Sequence, residues 1–248
     1  MTAIRRRSSP FTPEAIADAA LTVIRDEGAG ALSLRRVGEV LGTTHVTLLR
    51  RCGSLEGLLD FCADRVAAGF PDIPESSDWA LRTGMFFEAA YDMWSSHADL
   101  ILLMRGRVWH GLNITSRFYE PAMRCMVDAG MPIIEAASLF SILYRQTIGS
   151  IVATSANRWN PWESWEALRK LGVEQFPTLT RVEQERSTRG VRDERKSYSD
   201  ALRRIIDDFG RPETRDVQKD SRPGRPWEAG SVRSAAKRKL DPVVNRGK

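Results

Sequence analysis

The sequence predicts an all-α protein, and three observations support this fold class. Apolar residues recur at spacings of three, four and seven along most of the chain from Thr12 onwards, which is the period of an amphipathic helix. No segment before residue 170 alternates apolar and polar residues, so no strand is predicted there. Glycine and proline residues separate the apolar runs and mark the ends of helices.

The N-terminal region predicts four helices. Thr12 is suited to cap the first helix, and Pro13 to occupy its first position. This helix is expected to end near Glu27, before two glycines. The fourth helix starts at Ser54 and is long enough to connect this region to whatever follows, with Pro71 closing it.

Residues 32–59 predict a helix-turn-helix. Ser33 can cap a helix that carries Val37 and Leu41 on one face. Gly42 follows at the point where a chain leaves a helix through a left-handed residue. These residues therefore predict a short helix and a tight turn before the next helix.

The helix after the turn is the candidate for contacting DNA. Thr43 or Thr44 can cap it, and Val46 with Leu48 or Leu49 is expected to pack inward. A short helix with exposed hydroxyl, imidazole and guanidinium groups has the size and chemistry to lie in a major groove. The same residues also fit a small helical corner whose arginines merely complement a helix dipole. The side chains expected outside are those of His45, Thr47, Arg50 and Arg51.

Order and spacing favour the DNA-binding interpretation. The chain has an ALSLRRV entry, an LG turn, a TLxR stretch on the second helix, and GSLEGLL opening the fourth helix. This block resembles the N-terminal DNA-binding domain of the tetracycline-repressor (TetR) family of bacterial regulators. The resemblance implies base contacts by Arg35 and a reading position at His45. The whole set that it implies for DNA binding is Ser33, Arg35, Arg36, Thr44, His45, Thr47, Arg50 and Arg51.

Two stretches depart from the family pattern. Leu49 to Cys52 stand where the family typically has Tyr-x-His-Phe, and Leu55 stands where it often has lysine. The family's tyrosine and lysine commonly hold phosphates. Arg50 and Arg51 can replace them, because phosphate contacts require charge and reach more than one particular side chain.

Residues 71–210 predict a second helical domain. The resemblance implies that it binds a small-molecule effector and forms a homodimer, which would match a two-fold symmetric double-stranded DNA operator. A long helix from Pro132 to Ala156 and a final helix from about Arg195 to Phe209 are the predicted dimer helices. The long helix is so apolar that one neighbour is not expected to cover it. The alternative is that it is the central helix of a monomeric bundle.

Aromatic and methionine side chains are concentrated between residues 85 and 144. Such a set can line an apolar ligand cavity with a few polar anchors, although packing alone also produces a stripe at helical spacing. The residues predicted to bind an effector are Phe86, Tyr91, Trp94, Met104, Trp109, His110, Met123, Tyr144 and Thr147. Three tryptophans at 159, 162 and 165 are expected to anchor a connection or to cover this cavity.

Charge is distributed unevenly. Residues 1–10 carry +3 and residues 211–248 carry +6, so the body between them carries −4 within a net charge of +5. The two ends are expected to be disordered basic segments that can touch nucleic acid. The three cysteines lack CxxC spacing and the three histidines form no ligand motif, so no metal and no cofactor are predicted. No apolar run reaches membrane-spanning length, and a cytoplasmic location is expected.

The function predicted from the sequence is that of a non-enzymatic transcriptional repressor, released from its operator by a small apolar or aromatic molecule. One alternative is a small-molecule-binding protein or enzyme on the same fold that has lost DNA binding. Against an enzyme, the sequence shows no nucleophile, base and acid set and no phosphate-binding glycine loop. A third candidate is a DNA-compacting protein that uses the basic tail without sequence preference.

Overall fold

The computed structural model describes residues 11–104, 111–155, 175–189 and 193–210, and every regular element in these ranges is helical. The predicted all-α fold class is therefore confirmed. None of the described helices is long and apolar enough to cross a membrane. The helices of the N-terminal region are α1 (Pro13–Glu27), α2 (Leu34–Val40), α3 (His45–Cys52) and α4 (Leu55–Ala67).

The helices of the larger second region begin after an extended segment at residues 71–78. A π-helical turn, Thr115–Tyr119, joins α7 to α8. The helices are α5 (Trp79–Ser95), α6 (Ala98–Met104), α7 (Leu112–Ile114), α8 (Glu120–Asp128), α9 (Ile133–Ser155), α10 (Pro177–Arg189) and α11 (Glu194–Gly210).

The ends of the N-terminal helices form where side chains satisfy the free backbone groups. The hydroxyl of Thr12 accepts from the amide of Ala15 at 3.2 Å, and Ser33 accepts from Arg36 at 3.1 Å. Ser54 caps α4 in the same way. Gly42 has a φ of 65°, which only glycine adopts without strain, and this conformation lets the chain leave α2 and turn into α3.

The core of the N-terminal region lies where α1 packs against α4. Ile16 and Val23 of α1 and Leu58 of α4 are fully buried, and each such side chain contributes about 1.5–3 kcal/mol of burial free energy. Cys62 is also fully buried there, and burial raises the pKa of its thiol to about 12. Cys62 is free, as are Cys52 and Cys125.

The second region is built on α5, α9 and α11, which contact one another. The hydroxyl of Tyr198 on α11 lies 3.0 Å from the carbonyl oxygen of Phe87 on α5, to which it can donate, and 2.7 Å from the hydroxyl of Thr147 on α9. Tyr91 stacks on the Tyr198 ring with centroids 4.1 Å apart. One phenol therefore connects all three helices.

The apolar stripe of α9 is covered only in part within the chain. Leu139, Leu143 and Ile151 are fully buried, and α9 packs against α5, α6, α8 and α11. Ile133 and Val152, at the two ends of the stripe, are 65% and 39% exposed. Four neighbours therefore cover the middle of α9, and a homodimer through its exposed side stays a prediction.

The sequence around residue 177 predicts a loop through Pro177 followed by a charged run, but the structure has a helix there. Pro177 begins α10, because proline suits the first helical position, and Arg181 and Glu185 on this helix are exposed. Arg181 and Glu185 lie one turn apart and pair at 3.4 Å, which favours a helix over a solvated loop. The three tryptophans at 159, 162 and 165 lie outside the described residues.

Tyr198→Phe is expected to lower the free energy of unfolding by about 1–3 kcal/mol, because the buried carbonyl of Phe87 and the hydroxyl of Thr147 each lose one hydrogen-bond partner. Urea unfolding followed by circular dichroism measures this loss. Thr147→Val is the matched variant from the other side. The double variant should lose less than the sum of the two, and strictly additive losses would contradict the shared hydrogen bond.

Candidate nucleic-acid interface and its link to the helical core

The orientation of α3 is set by one inward side chain. Leu48 is fully buried, whereas Val46 and Leu49 are 44% and 43% exposed. The prediction that Val46 packs inward is wrong, because successive residues turn by roughly 100° and Val46 lies roughly 160° from Leu48 around the helix. Of the two leucine alternatives, Leu48 is the inward one. The helix therefore exposes apolar as well as polar side chains.

The predicted polar residues of α3 lie on its exposed side or at its start. His45, Arg50 and Arg51 are exposed, and Thr47 is half-buried. Thr44 is exposed and caps α3, since its hydroxyl accepts from the amide of Thr47 at 3.3 Å. These residues thus occupy one outward surface of a two-turn helix.

The two arginines of α2 differ sharply. The side chain of Arg35 is 85% exposed and has a single contact at 3.1 Å to Glu39. Arg36 instead donates to both carboxylate oxygens of Glu27, at 2.8–3.0 Å, and to Glu39 at 3.1 Å. The carboxylate of Glu27, and then that of Glu39, raise the pKa of Arg36. Hydrogen bonds from Arg36 and then Arg35 lower the pKa of Glu39.

Arg36 therefore connects α2 to α1, and its charge is balanced by two carboxylates. This neutralisation makes it a positioning residue between the two helices, and a contact of Arg36 with DNA stays a prediction. Ser33 is half-buried and is also used locally, as the cap of α2. Sequence spacing does not distinguish Arg35 from Arg36, because the distinction depends on Glu27, which lies on a different helix.

The helix α4 supports α3 through a close backbone approach. A Cβ atom at Gly57 would overlap the carbonyl oxygen of Cys52, so only glycine permits this packing. Leu55, which stands where the family often has lysine, is 38% exposed at the start of α4. The position of α3 is thus determined by α4 as well as by Leu48.

The same helix α4 is tied to the second region by Asp64. One carboxylate oxygen accepts from the backbone amides of Asn113, at 2.8 Å, and Ile114, at 3.3 Å. The other accepts from the side-chain amide of Asn113 at 3.0 Å. A Cβ atom at Gly111 would overlap this carboxylate, so the chain approaches Asp64 closely because residue 111 is glycine.

Sequence reasoning missed Asp64. Within α4 it is one of several charged residues, and nothing in its spacing separates it from a solvated carboxylate. Its role depends on backbone amides 49 and 50 residues away along the chain. Asn113 is recognisable as a polar residue near the aromatic run, but its partner on α4 is not.

Phe118 lies at the centre of an aromatic cluster just beyond the Asp64 contact. Its ring centroid lies 5.3 Å from those of Phe70 and Phe87 and 5.6 Å from that of Phe140. Phe118 sits on the π-helical turn, which precedes Pro121. Proline lacks an amide proton and crowds the carbonyl four residues earlier, so a widened turn fits at this point.

The predicted effector-binding residues separate into two groups. Phe86 and Tyr144 belong to the aromatic cluster, through Phe70 and Phe140 respectively. Burial, and then the neighbouring hydroxyl of Tyr119, raise the pKa of Tyr144. Tyr91 and Thr147 instead lie at the seam with α11 and contact Tyr198.

The other predicted effector-binding residues have varied positions. Trp94 and Met104 are each only 1% exposed and belong to the common core. Met123 is partly buried and packs against that core. Trp109 and His110 lie outside the described residues. Among the described residues no group of three or more His, Cys, Asp or Glu side chains is placed to hold a metal ion.

Comparison with known proteins identifies the family. Residues 70–209 match the family model described as the tetracyclin repressor-like, C-terminal domain. No curated protein matches the chain. Among solved structures, the chain is similar to the Streptomyces coelicolor TetR family protein ActR in complex with (S)-DNPA. The identity is 25% and the TM-score 0.68, over 81% of this chain and 98% of that one.

Two further structures show the same fold. ActR in complex with actinorhodin is 24% identical, with a TM-score of 0.67, and the match covers 83% of this chain and 99% of that one. A possible TetR family transcriptional regulator from Streptomyces coelicolor A3(2) is 19% identical, with a TM-score of 0.67, over 80% and 98% of the two chains. The family model spans more than half of the sequence, and the chain belongs to the TetR family.

Proposed function

We propose that the protein is a ligand-responsive, DNA-binding transcriptional repressor. The observation that carries this proposal is the pair of contacts made by α4. At one end α4 supports the outward-facing α3, and near its other end Asp64 binds the start of α7. A displacement of α7 therefore has a direct route to the helix proposed to contact DNA.

The surface around α3 has the charge that DNA binding requires. Arg35, Arg50 and Arg51 are exposed, and none of them is balanced as Arg36 is. Arg50 and Arg51 are placed to contact phosphates, and Arg35 to donate to a guanine edge. His45, Thr44 and Thr47 would complete the polar contacts.

A homodimer is proposed through the outer faces of α9 and α11. The hydroxyls of Ser138 and Ser141 donate to carbonyls of α9 itself at 2.8 Å, so this face presents small, internally satisfied side chains that permit close approach. On α11 the exposed face carries charges of both signs, which can pair across a two-fold axis. The exposed residues of the two faces are Ser138, Ser141, Arg145, Gly149, Val152, Arg203, Arg204, Asp207 and Asp208.

The effector is proposed to be a small apolar or aromatic molecule that enters the core near Phe86, Met123 and Tyr144. The complexes of ActR with (S)-DNPA and with actinorhodin support effector binding in a related protein. The aromatic cluster is continuous through Phe118 with the turn that follows α7. An effector can act only through its different affinities for the two arrangements of α7.

DNA binding is tested by a gel shift with the intergenic DNA upstream of the coding sequence. Arg35→Ala should weaken the specific complex about 5- to 150-fold, corresponding to the loss of one bidentate base contact, and leave competitor binding nearly unchanged. Arg36→Ala is the matched control, because it removes the same charge from the same helix but a side chain held by Glu27. Its effect on specific binding should be smaller.

Three outcomes would contradict this proposal. Equal losses for specific and competitor DNA in Arg35→Ala would show that Arg35 does not contact bases. A complex that forms on any DNA and disappears steeply with salt would favour the DNA-compacting alternative. No binding at all would favour the small-molecule-binding protein or enzyme that has lost DNA binding.

The Asp64 link predicts cooperative unfolding of the two regions. The seven tryptophans all lie at or beyond residue 79, so tryptophan fluorescence does not report on the N-terminal helices, whereas circular dichroism reports on the helices of both regions. The two thermal transitions should coincide in the wild type. In Asp64→Ala they should separate, with the N-terminal helices melting first, because two backbone amides lose their acceptor and α4 is released.

Asp18→Ala is the matched control for this experiment. Asp18 also contacts α4, through Arg65 at 2.7 Å, but lies on α1 within the N-terminal region. Its loss should leave the two transitions coincident. Coincident transitions in Asp64→Ala would show that the regions are coupled by other contacts.

A further inference from the structure

The outer face of α3 exposes two large apolar side chains. Val46 and Leu49 lie one turn apart and are 44% and 43% exposed, whereas Leu48 is fully buried. Cys52, at the end of α3, packs against the same core as Leu48. Val46 and Leu49 thus form a small apolar patch on the outer side of a two-turn helix.

The residues around the apolar patch indicate what kind of partner it contacts. The partner should carry negative charge on both sides of a groove and apolar groups on the floor of that groove. His45 precedes it, Arg50 and Arg51 follow, and the eight residues of α3 include no carboxylate. An α-helix with its side chains is about 10–12 Å in diameter, which fits a major groove about 12 Å wide. Cationic groups beside an apolar centre complement phosphates that flank the floor of such a groove.

Only one standard base offers an apolar group in the major groove, the C5 methyl of thymine. We infer that α3 reads thymine methyl groups through Val46, with Leu49 as a second contact, so that each operator half-site carries thymine at the positions these side chains reach. This inference rests on the proposed function, and it names the bases that the DNA-binding surface selects.

Removing a thymine methyl should therefore weaken binding, even though every hydrogen-bonding group of the base remains. Burying one methyl group against an aliphatic side chain is expected to change affinity about three- to fivefold. Two half-sites contacted at once should multiply this factor. The effect is specific to a methyl group and does not arise from phosphate contacts, which are independent of sequence.

The test uses the full chain and the operator fragment identified by gel shift, with single thymines replaced by deoxyuridine and binding measured by fluorescence anisotropy. For the wild type, replacing one contacted thymine in one half-site should weaken binding about three- to fivefold, and replacing it in both half-sites should weaken binding about 9- to 25-fold. Val46→Ala should bind the thymine and uracil operators equally at one such position. Leu49→Ala should reduce the difference between the thymine and uracil operators at the second such position, or in part at the position that Val46 contacts.

Leu81→Ala is the control variant, because Leu81 is an exposed leucine on α5 in the second region. It should retain the full response to uracil. A specific complex that is indifferent to uracil at every position overturns this inference and leaves the proposed function intact. A response that persists unchanged in both Val46→Ala and Leu49→Ala also overturns it, and the absence of any specific complex overturns both proposals.

Discussion

The burial of Leu48 is the interaction on which the rest of the DNA-binding surface depends. It is the one fully buried side chain of α3, a helix that packs against α1, α2 and α4. Because only this side faces the core, the remaining surface presents Val46, Leu49 and the two arginines outward. A second inward contact, such as the one first expected of Val46, would rotate the helix and remove that side chain from the outer surface.

Because α3 contacts the core through one side only, it needs a rigid neighbouring helix to fix its position. That helix is α4. The close approach at Gly57 seats α3 on α4, and the carboxylate of Asp64 connects α4 to α7. Beyond α7, Phe118 lies among rings from three other elements, so the link continues into the hydrophobic core. The proposed response to an effector uses these ordinary packing and capping contacts, with no separate signalling element.

Much of the fold is predictable from local sequence. The caps at Thr12 and Ser33 and the left-handed Gly42 are decided by residues within a few positions of one another, and they occur as predicted. The orientation of α3 within the helix-turn-helix is less predictable, because Val46, Leu48 and Leu49 are equally apolar and only the angle of the helix on α1 and α4 selects among them. The helix at Pro177 is missed because its residues are mostly polar and charged, so no apolar face stands out in the sequence.

The site required tertiary information throughout. Arg35 and Arg36 are adjacent and chemically identical, and Glu27 on α1 alone assigns them different roles. Asp64 becomes a link only when the amides of Asn113 and Ile114 are brought to it. The predicted effector-binding residues separate into those of the aromatic cluster and those that contact α11. Helical spacing in the sequence shows which residues lie on the same face of a helix. It does not show which neighbouring helix covers that face.

Hydrogen exchange of the full chain, with and without a saturating operator fragment, tests the central claim most directly. Binding through the exposed surface of α3 should slow exchange most strongly in His45–Cys52 and in the adjoining residues of α2, with smaller changes at residues 112–119 through Asp64. Protection confined to residues 211–248, with none in α3, would contradict the account.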